Sequence, residues 1–374
     1  LNLSDKRAYI TSLDGVRGMA ALIIVALHFS SYLFPYVGES IGLYTPMLKN
    51  SYLLVDLFFI LSGFVLSFNY FEVFKREVSF ASFYKFIYKR FLRLYPLHIA
   101  TLIFLVVLHR YISPLFLNLP IDLFQVDRSN FSIMTNVFMM HSSGIGDNGC
   151  FDCTSWNYPS WSISVEWLSY FFLPIIIIFC SRFKRISFLV GGLLFVGLYF
   201  VQVKVGHLDV ASTPGLYRAV TGMFIGVLLY RIGFKSFRSS KYGVFIATFL
   251  LGGSFHFIGN DTFLVGILAI FLLIIINGED SNVFSSSWLQ WLGVRSYSIY
   301  LIHVPVQDAI SFGIRLLYGS VPQSLGNSIQ IIGFIISMII TLAISNLTYL
   351  YFERYFFSLK AQNPQKVKLV VAGR

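Results

Sequence analysis

SLDGVRGMAALIIVALHFS, residues 12–30, is apolar and long enough to read as a membrane helix, yet it carries Asp14 and Arg17 near one end and His28 near the other. Ionisable groups inside a bilayer are costly and commonly line a pathway or a reaction site. Arg17 and His28 are eleven residues apart. At ~100° and ~1.5 Å per residue they lie about 20° past three full turns and roughly 16 Å apart along the axis. One face of one helix thus offers a permanent cation near one side of the membrane and a proton-transfer group deep within it.

The rest of the chain reads the same way. Of its 374 residues, 56% are hydrophobic and 12% charged, against about 25% charged in a soluble domain. Mean hydropathy is +0.72, and the 40 Phe and 22 Tyr suit lipid and its interfaces. A helix needs ~20 apolar residues to cross the hydrocarbon. Ten such runs are expected, at about 12–34, 51–71, 88–110, 160–180, 186–203, 214–231, 242–258, 261–277, 295–317 and 328–351. The expected fold is therefore all-α, a polytopic helical bundle forming a single transmembrane domain over 1–374, with no soluble domain at either end. Phe131 to Met140 is too short to span and reads as an interfacial or re-entrant piece. Leu1 to Tyr9 is polar and further spans follow the first, so no cleavable leader is expected.

Orientation follows from the basic residues. Lys and Arg crowd the N-terminal tail (Lys6, Arg7), the segment Lys75 to Arg93, the turn Arg182 to Arg185, the loop Arg231 to Lys241 and the C-terminal tail over 353–374. The opposite loops hold Lys49, Arg128 and Lys204. Both termini are then cytoplasmic, and the long loop 111–159 is extracytoplasmic. The net charge of +11 comes from these loop clusters rather than from a basic stripe with spaced aromatics, so no nucleic-acid partner is expected. Membrane lipid is the surrounding partner.

There is no Walker A loop, EF-hand, HExxH or paired CxxC motif, and no metal is expected. Cys150 and Cys153, in CFDC, lie in the long outer loop, where a local disulfide is the expectation and a metal would need further ligands. Cys180 stands alone at a helix end.

Depth along each span suggests where polar groups meet. His28 lies roughly 20–24 Å from the inner edge, and Asp56, on a span running inward, about 8–9 Å below the outer edge. In a core about 30 Å thick these depths coincide, and Glu166 on span four falls in the same layer. Near the cytoplasm Arg17, Arg90, Arg93 and Arg295 form a second layer, with Arg90 and Arg93 three apart on one helix face. Planar guanidinium groups match phosphate oxygens, so an anionic, phosphate-bearing ligand would fit. His98 and His303 fall between the layers, roughly 12 Å from the inner edge.

Each residue also has a plainer reading. Arg17 can snorkel to headgroups or pair with Asp14. His28 or His303 can be a hydrogen-bonded core histidine. Asp56 can favour a helix N-terminus, Glu166 can accept a bond from a Tyr or Trp donor, and Arg90 and Arg93 can be ordinary positive-inside residues.

Five stretches are similar to the membrane acyltransferase-3 family, the integral-membrane acyl-CoA-dependent enzymes that acylate carbohydrates. They are SLDGVRGMAALIIVALHF (12–29), YLLVDLFFILSGFVLS (52–67), RFLRLYPLH (90–98), YPSWSISVEWLSYFFLP (158–174) and YSIYLIHVPV (297–306), in the family's order and covering the chain nearly end to end. The resemblance implies that His28 is the catalytic histidine, that Arg17, Arg90 and Arg93 serve acyl-CoA, and that Trp161, Ser162 and Glu166 form the family's tryptophan–serine–glutamate motif. The chain resembles the stand-alone type, which includes O-antigen O-acetylases, rather than relatives with an added extracytoplasmic hydrolase-like domain.

The expected function is transfer of an acyl group, acetyl first, from cytoplasmic acyl-CoA to a hydroxyl of a lipid-linked or surface polysaccharide, in the inner membrane of a bacterium. His28 would be the base, with Asp56 or Glu166 its carboxylate partner, or would itself attack first to form an acyl-imidazole intermediate. Arg17, Arg90, Arg93 and Arg295 would hold the CoA phosphates, and Trp161, Ser162 and His303 would contact substrate. The alternative is a proton-coupled transporter or flippase using His28, Asp56 and Glu166 as a relay; it predicts an internal repeat, which the sequence does not display. A purely structural membrane protein is the third possibility.

Overall fold

The computed structural model describes residues 10–117, 127–145, 155–233, 239–278 and 282–359. Among them ten long helices carry the fold: α1 (Thr11–His28), α2 (Leu54–Arg76), α3 (Phe80–Val107), α4 (Trp161–Arg182), α5 (Lys184–Val205), α6 (Ser212–Gly233), α7 (Lys241–Phe257), α8 (Asp261–Ile276), α9 (Ser287–Tyr318) and α10 (Asn327–Thr348). Each of the ten runs expected from hydropathy falls on one of these helices. Seven helical segments, from Thr11–Leu33 to Asn327–Phe356, are long and apolar enough to cross a membrane, and Asp261–Ile276 is apolar but shorter. No strand forms among the described residues; the β pairing there is two isolated bridges, Asp127 with Ser155 and Ser239 with Gly278. The protein is an all-α polytopic membrane bundle. In lipid this is expected, because a helix satisfies its own backbone hydrogen bonds.

Two helices begin earlier than hydropathy indicates. α3 starts at Phe80 rather than near 88, capped by Ser79, whose side chain accepts a bond from Ser82 N at 3.2 Å. α9 starts at Ser287 rather than near 295. The first two turns carry polar residues, with Lys85 in α3 and Ser287 and Gln290 in α9, so a hydropathy window misses them although each helix is continuous. Between Phe131 and Met140 the structure has a short helix, Asn130–Val137, followed by a turn. Cys150 and Cys153 lie outside the described residues.

Two helix pairs are packed backbone to backbone at glycines. In α1, a Cβ built on Gly15 would fall 2.0 Å from Phe284 O, and one on Gly18 would fall 2.5 Å from Gly293 N. In the second pair, a Cβ on Gly63 of α2 would fall 2.1 Å from Met223 O of α6, and one on Gly226 would fall 2.2 Å from Ile60 O. Between membrane helices the drive to associate is close van der Waals packing, so small residues mark the interfaces. α2 is 72% buried over its apolar window, whereas α5 and α10 are each 22% buried. The latter two are peripheral, turning Leu189, Leu193, Phe200, Ile332, Ile335 and Ile339 outward.

Replacing Gly18 by Leu is expected to destabilise the bundle by about 3 kcal/mol, the upper end for overpacking, because the clash is with backbone. Gly252→Leu is the control, since no atom lies within 4 Å of a Cβ there. Thermal unfolding of the two solubilised variants checks this: Gly18→Leu should melt well below the parent, and Gly252→Leu with it.

Candidate active site

α1 and α9 run in the same direction, as the succession of contacts from Gly15 with Phe284 to Gly18 with Gly293 and His28 with His303 shows. Ten residues separate Gly18 from His28, and ten separate Gly293 from His303. The glycine contact therefore sets a register that carries the two histidines to the same level. His28 Nδ1 and His303 Nε2 are 2.9 Å apart, and the rings are nearly parallel at 15° with centroids 5.0 Å apart. His303 was expected well below His28; counted from Ser287, the true start of α9, it lies ~24 Å along its helix, close to the ~25 Å of His28 along α1. His28 closes the regular part of α1, and a wider π turn, Phe29–Leu33, follows it. The Tyr158 ring meets His28 edge-on at 4.9 Å, with Tyr32 at 6.1 Å. His28 is half-buried, while His303 is completely buried.

The carboxylates expected beside His28 are engaged elsewhere. Asp56 forms a buried ion pair with Arg218 of α6: Nε donates to Oδ1 at 3.2 Å and Nη2 to Oδ2 at 2.6 Å. Arg218 Nη1 also donates to Val210 O at 3.0 Å, and its guanidinium lies 5.1 Å from the centre of the Trp161 ring. The sequence reading passed over Arg218. It was legible there as a cation in the middle of an apolar run, and the rule that singled out His28 applies to it equally. Trp161 thus packs over a structural ion pair, between Arg218 and the Phe59 ring at 6.2 Å.

Glu166 belongs with the arginines. Its Oε1 accepts bonds from Ser62 Oγ at 2.5 Å and Tyr170 OH at 2.6 Å. Together with Ser62 and Tyr170 it lines a cavity that also receives Arg17, Arg90 and Arg93. Arg17 keeps Asp14 at 3.6 Å. Arg90 Nε is buried without a hydrogen-bond partner. The cavity continues between α2, α4 and α9 to Ser162, Ser296 and Tyr300. There Ser162 Oγ and Tyr300 OH are 2.9 Å apart, and both lie 3.0 Å from Pro159 O. The Tyr300 ring is 6.0 Å from that of His303. The hydroxyl end of the cavity thus adjoins the histidine pair.

Arg295 does not join the cluster. Its Nε donates to Asn346 Oδ1 at 2.7 Å and Nη1 to Trp291 O at 3.0 Å, and its guanidinium lies between the Trp291 and Tyr349 rings at 4.3 and 4.9 Å. Ser296, Tyr297 and Tyr300 face the cavity. Arg295, ~100° round the helix from Ser296, faces α10 instead. His98 Nε2 pairs with Asn136 O at 3.0 Å and stacks on His141, away from His28. Among the described residues no three His, Cys, Asp or Glu side chains converge as a metal site.

With this geometry in hand, the comparison with known proteins is direct. Residues 10–350 match the family model described as an acyltransferase domain. The chain belongs to that acyltransferase-3 family. It is 33% identical over 159 residues to "Protein 2 in picA locus" of Rhizobium radiobacter, covering 41% of this chain and 75% of that protein. It is 24% identical over 333 residues to the peptidoglycan O-acetyltransferase OatA of Listeria monocytogenes, covering 80% of this chain and 50% of that protein. The chain thus spans about half the length of the latter relative. No solved structure matches it. All five stretches that carry the resemblance lie within the matched residues.

Removing one partner of the Asp56–Arg218 pair, as in Arg218→Ala, is expected to cost about 3–5 kcal/mol, because a buried charge is left without its counter-ion. The double variant Asp56→Leu, Arg218→Leu should recover most of that loss. Thermal unfolding of the single and double variants measures both; equal losses in the two would mean that charge pairing is not what the site contributes.

Proposed function

We propose that the protein transfers an acyl group, acetyl in the first instance, from acyl-CoA to a hydroxyl of a cell-surface carbohydrate across a bacterial inner membrane. The observation that carries the reading is the cavity: three arginines at one end, the Ser162 and Tyr300 hydroxyls at the other, and a half-buried histidine adjoining it. An anionic CoA head suits Arg17, Arg90 and Arg93, since guanidinium groups bind phosphate oxygens in pairs. The Arg90 Nε without a protein partner is such a free donor. The pantetheine arm then runs toward the hydroxyl pair, which receives the thioester end, spanning the roughly 16 Å that separates Arg17 from His28 along α1.

His28 acts as the general base. The acceptor oxygen bonds to the thioester carbon as His28 takes its proton; the C–S bond breaks, and His28 passes the proton to the departing CoA thiolate. Glu166, held by Ser62 and Tyr170, balances part of the arginine charge and keeps those side chains directed at the ligand. Asp56 acts through Arg218 on the placement of Trp161. Both termini and the arginine end face the cytoplasm in this reading, and the loop 111–159 faces outward, where a carbohydrate acceptor is found. The name of the Listeria relative, a peptidoglycan O-acetyltransferase, supports a glycan acceptor.

Purified protein given acetyl-CoA and cell-envelope glycan should release free CoA and label the glycan with acetyl. His28→Ala should lower this by about 10²-fold or more while remaining folded, and Arg90→Ala should raise KM for acetyl-CoA. Binding of acetyl-CoA without thioester cleavage, together with movement of a lipid-linked substrate across vesicles, would instead favour the transporter.

A further inference from the structure

We propose that Gln323 and Gln330 are positioning residues: they clamp the π turn that follows His28, and so hold Tyr32 against the histidine and keep water from its side away from the cavity. The proposal deepens the acyl-transfer reading and rests on it for the reaction whose products are counted.

The side in question is fixed by the parallel register. Along α1 and α9 the cavity residues Arg17, Ser296 and Tyr300 all precede the His28–His303 pair. Tyr32 follows it, about one turn beyond His28. Its ring centre lies 6.1 Å from that of His28 and 5.7 Å from that of Tyr158, which meets His28 edge-on at 4.9 Å. The two tyrosine rings stand at 69° to each other and form a corner against His28. His28 and Tyr32 are half-buried, whereas Tyr158 is buried. Tyr32 is thus the member of the corner that borders the outside.

Tyr32 has this place because α1 does not continue as a regular helix. Phe29–Leu33 is a π turn, closed by Phe34 N donating to Phe29 O at 2.8 Å. Such turns are rare and persist where their surroundings hold them. The surroundings here are the start of α10 and the turn Pro322–Ser324 before it. Gln323 Nε2 donates to Tyr32 O at 2.6 Å. Gln330 Oε1 accepts from Tyr36 N at 3.0 Å, while its Nε2 donates to Gln323 O at 3.1 Å and to Leu325 O at 2.9 Å. Each partner is a backbone group. A backbone N–H can only donate and a carbonyl can only accept, so the sense of both amides is settled. Between these anchors Phe34 is wholly buried, and its ring lies on Gly333 of α10, where a Cβ would fall 2.7 Å from it. Tyr32, Phe34 and Tyr36 are therefore tied in succession to one part of the fold. Gln330 joins the ties, because its amide holds Tyr36 on one side and the backbone of Gln323 on the other.

The chemical consequence concerns water. In the transfer an acceptor hydroxyl bonds to the thioester carbon, and CoA leaves as the thiol with the proton that His28 took. Water can replace the acceptor. Its oxygen bonds to the same carbon, the C–S bond breaks, His28 carries one proton to the sulfur, and acetic acid forms in place of the ester. A site that excludes bulk water suppresses that loss. Tyr32, held by the clamp, covers His28 on the side that the cavity does not.

The test uses the full chain with Gln330→Met and Gln323→Leu. Ser324→Ala is the control, since the Ser324 hydroxyl bonds to Val321 O within its own turn at 2.8 Å. Protein is given acetyl-CoA and cell-envelope glycan, and CoA released in excess of acetyl recovered on glycan counts hydrolysis. Both glutamine variants should raise the hydrolysed share about tenfold, as loss of hydrogen bonds of ordinary net strength allows. KM for acetyl-CoA should not change, because neither glutamine lines the cavity. A second measurement needs no turnover: diethyl pyrocarbonate modification of His28, followed by mass spectrometry. It should be about tenfold faster in both glutamine variants by the same reasoning, and parental in Ser324→Ala. A role in stability alone would lower the melting temperature and move neither reading. Should Gln330→Met fail to fold, Gln323→Leu, which removes a single bond to the turn, carries the test. The proposal is overturned if the folded glutamine variants keep the parental hydrolysed share and modification rate, or if KM for acetyl-CoA rises instead. If the parent cleaves no acetyl-CoA while the reagent still reaches His28 faster in the glutamine variants, the acyl-transfer reading fails and the clamp stands.

Discussion

The close approach of α1 and α9 at Gly18 and Gly293 governs the rest of the structure. There is no space at either position for a Cβ, so the two backbones can slide past one another only by whole steps that would drive side chains into the contact. The parallel register is therefore fixed, and everything further along the two helices inherits it. Ten residues on, the inheritance is the His28–His303 pair at 2.9 Å. A slip of one residue would move each histidine by ~1.5 Å and ~100° and part them. The glycines lie ten residues from the histidines, yet they set the geometry of the pair.

The same logic operates at the second helix pair. α2 and α6 touch backbone to backbone at Gly63 and Gly226, and about two turns before that contact lie Asp56 and Arg218. Here the inherited neighbours are opposite charges, which low dielectric binds strongly once both are buried. The pair also presents a flat cation to the Trp161 indole, tying the start of α4 to α6. α4 then brings Ser162 and Glu166 to the cavity one turn apart. Two glycine contacts and one ion pair are enough to place most of the side chains that line it.

The sequence showed which residues matter more fully than it showed how they pair. The ten helices, the all-α membrane class and the five stretches of family likeness were legible because hydropathy and motif order are properties of single segments. Pairing depends on which helices adjoin and where each begins. α9 starts eight residues before its apolar run, at Ser287, because Trp288, Gln290 and Trp291 are amphipathic rather than apolar. Depth counted from the apolar run therefore puts His303 too low, whereas Arg295 lies within about a turn of Arg17's level and is kept from the cluster by the helix face it occupies. Asp56 and Glu166 were rightly seen as ionisable groups needing partners. Their partners, Arg218 on one side and Ser62 with Tyr170 on the other, depend on adjacency that one sequence does not display.

A gradient of charge links the cavity's two ends and gives the proposed reaction its direction. At one end three arginines face a single glutamate, with Asp14 beside Arg17, so the lining keeps a net positive character. At the other end the described lining groups are the hydroxyls of Ser162, Ser296 and Tyr300, with the histidine pair adjoining them. A polyanionic donor is attracted to the first end and excluded from the second, whereas its uncharged thioester arm meets no penalty in the second. An elongated ligand of that kind can lie in the cavity in one sense only, reacting group toward His28. For the proposed transfer, the His28–His303 pair stands beside this uncharged end. A carboxylate beside His28 would add a charge in a layer held neutral, and would draw an arginine, or the donor's counter-ions, toward the reacting atoms.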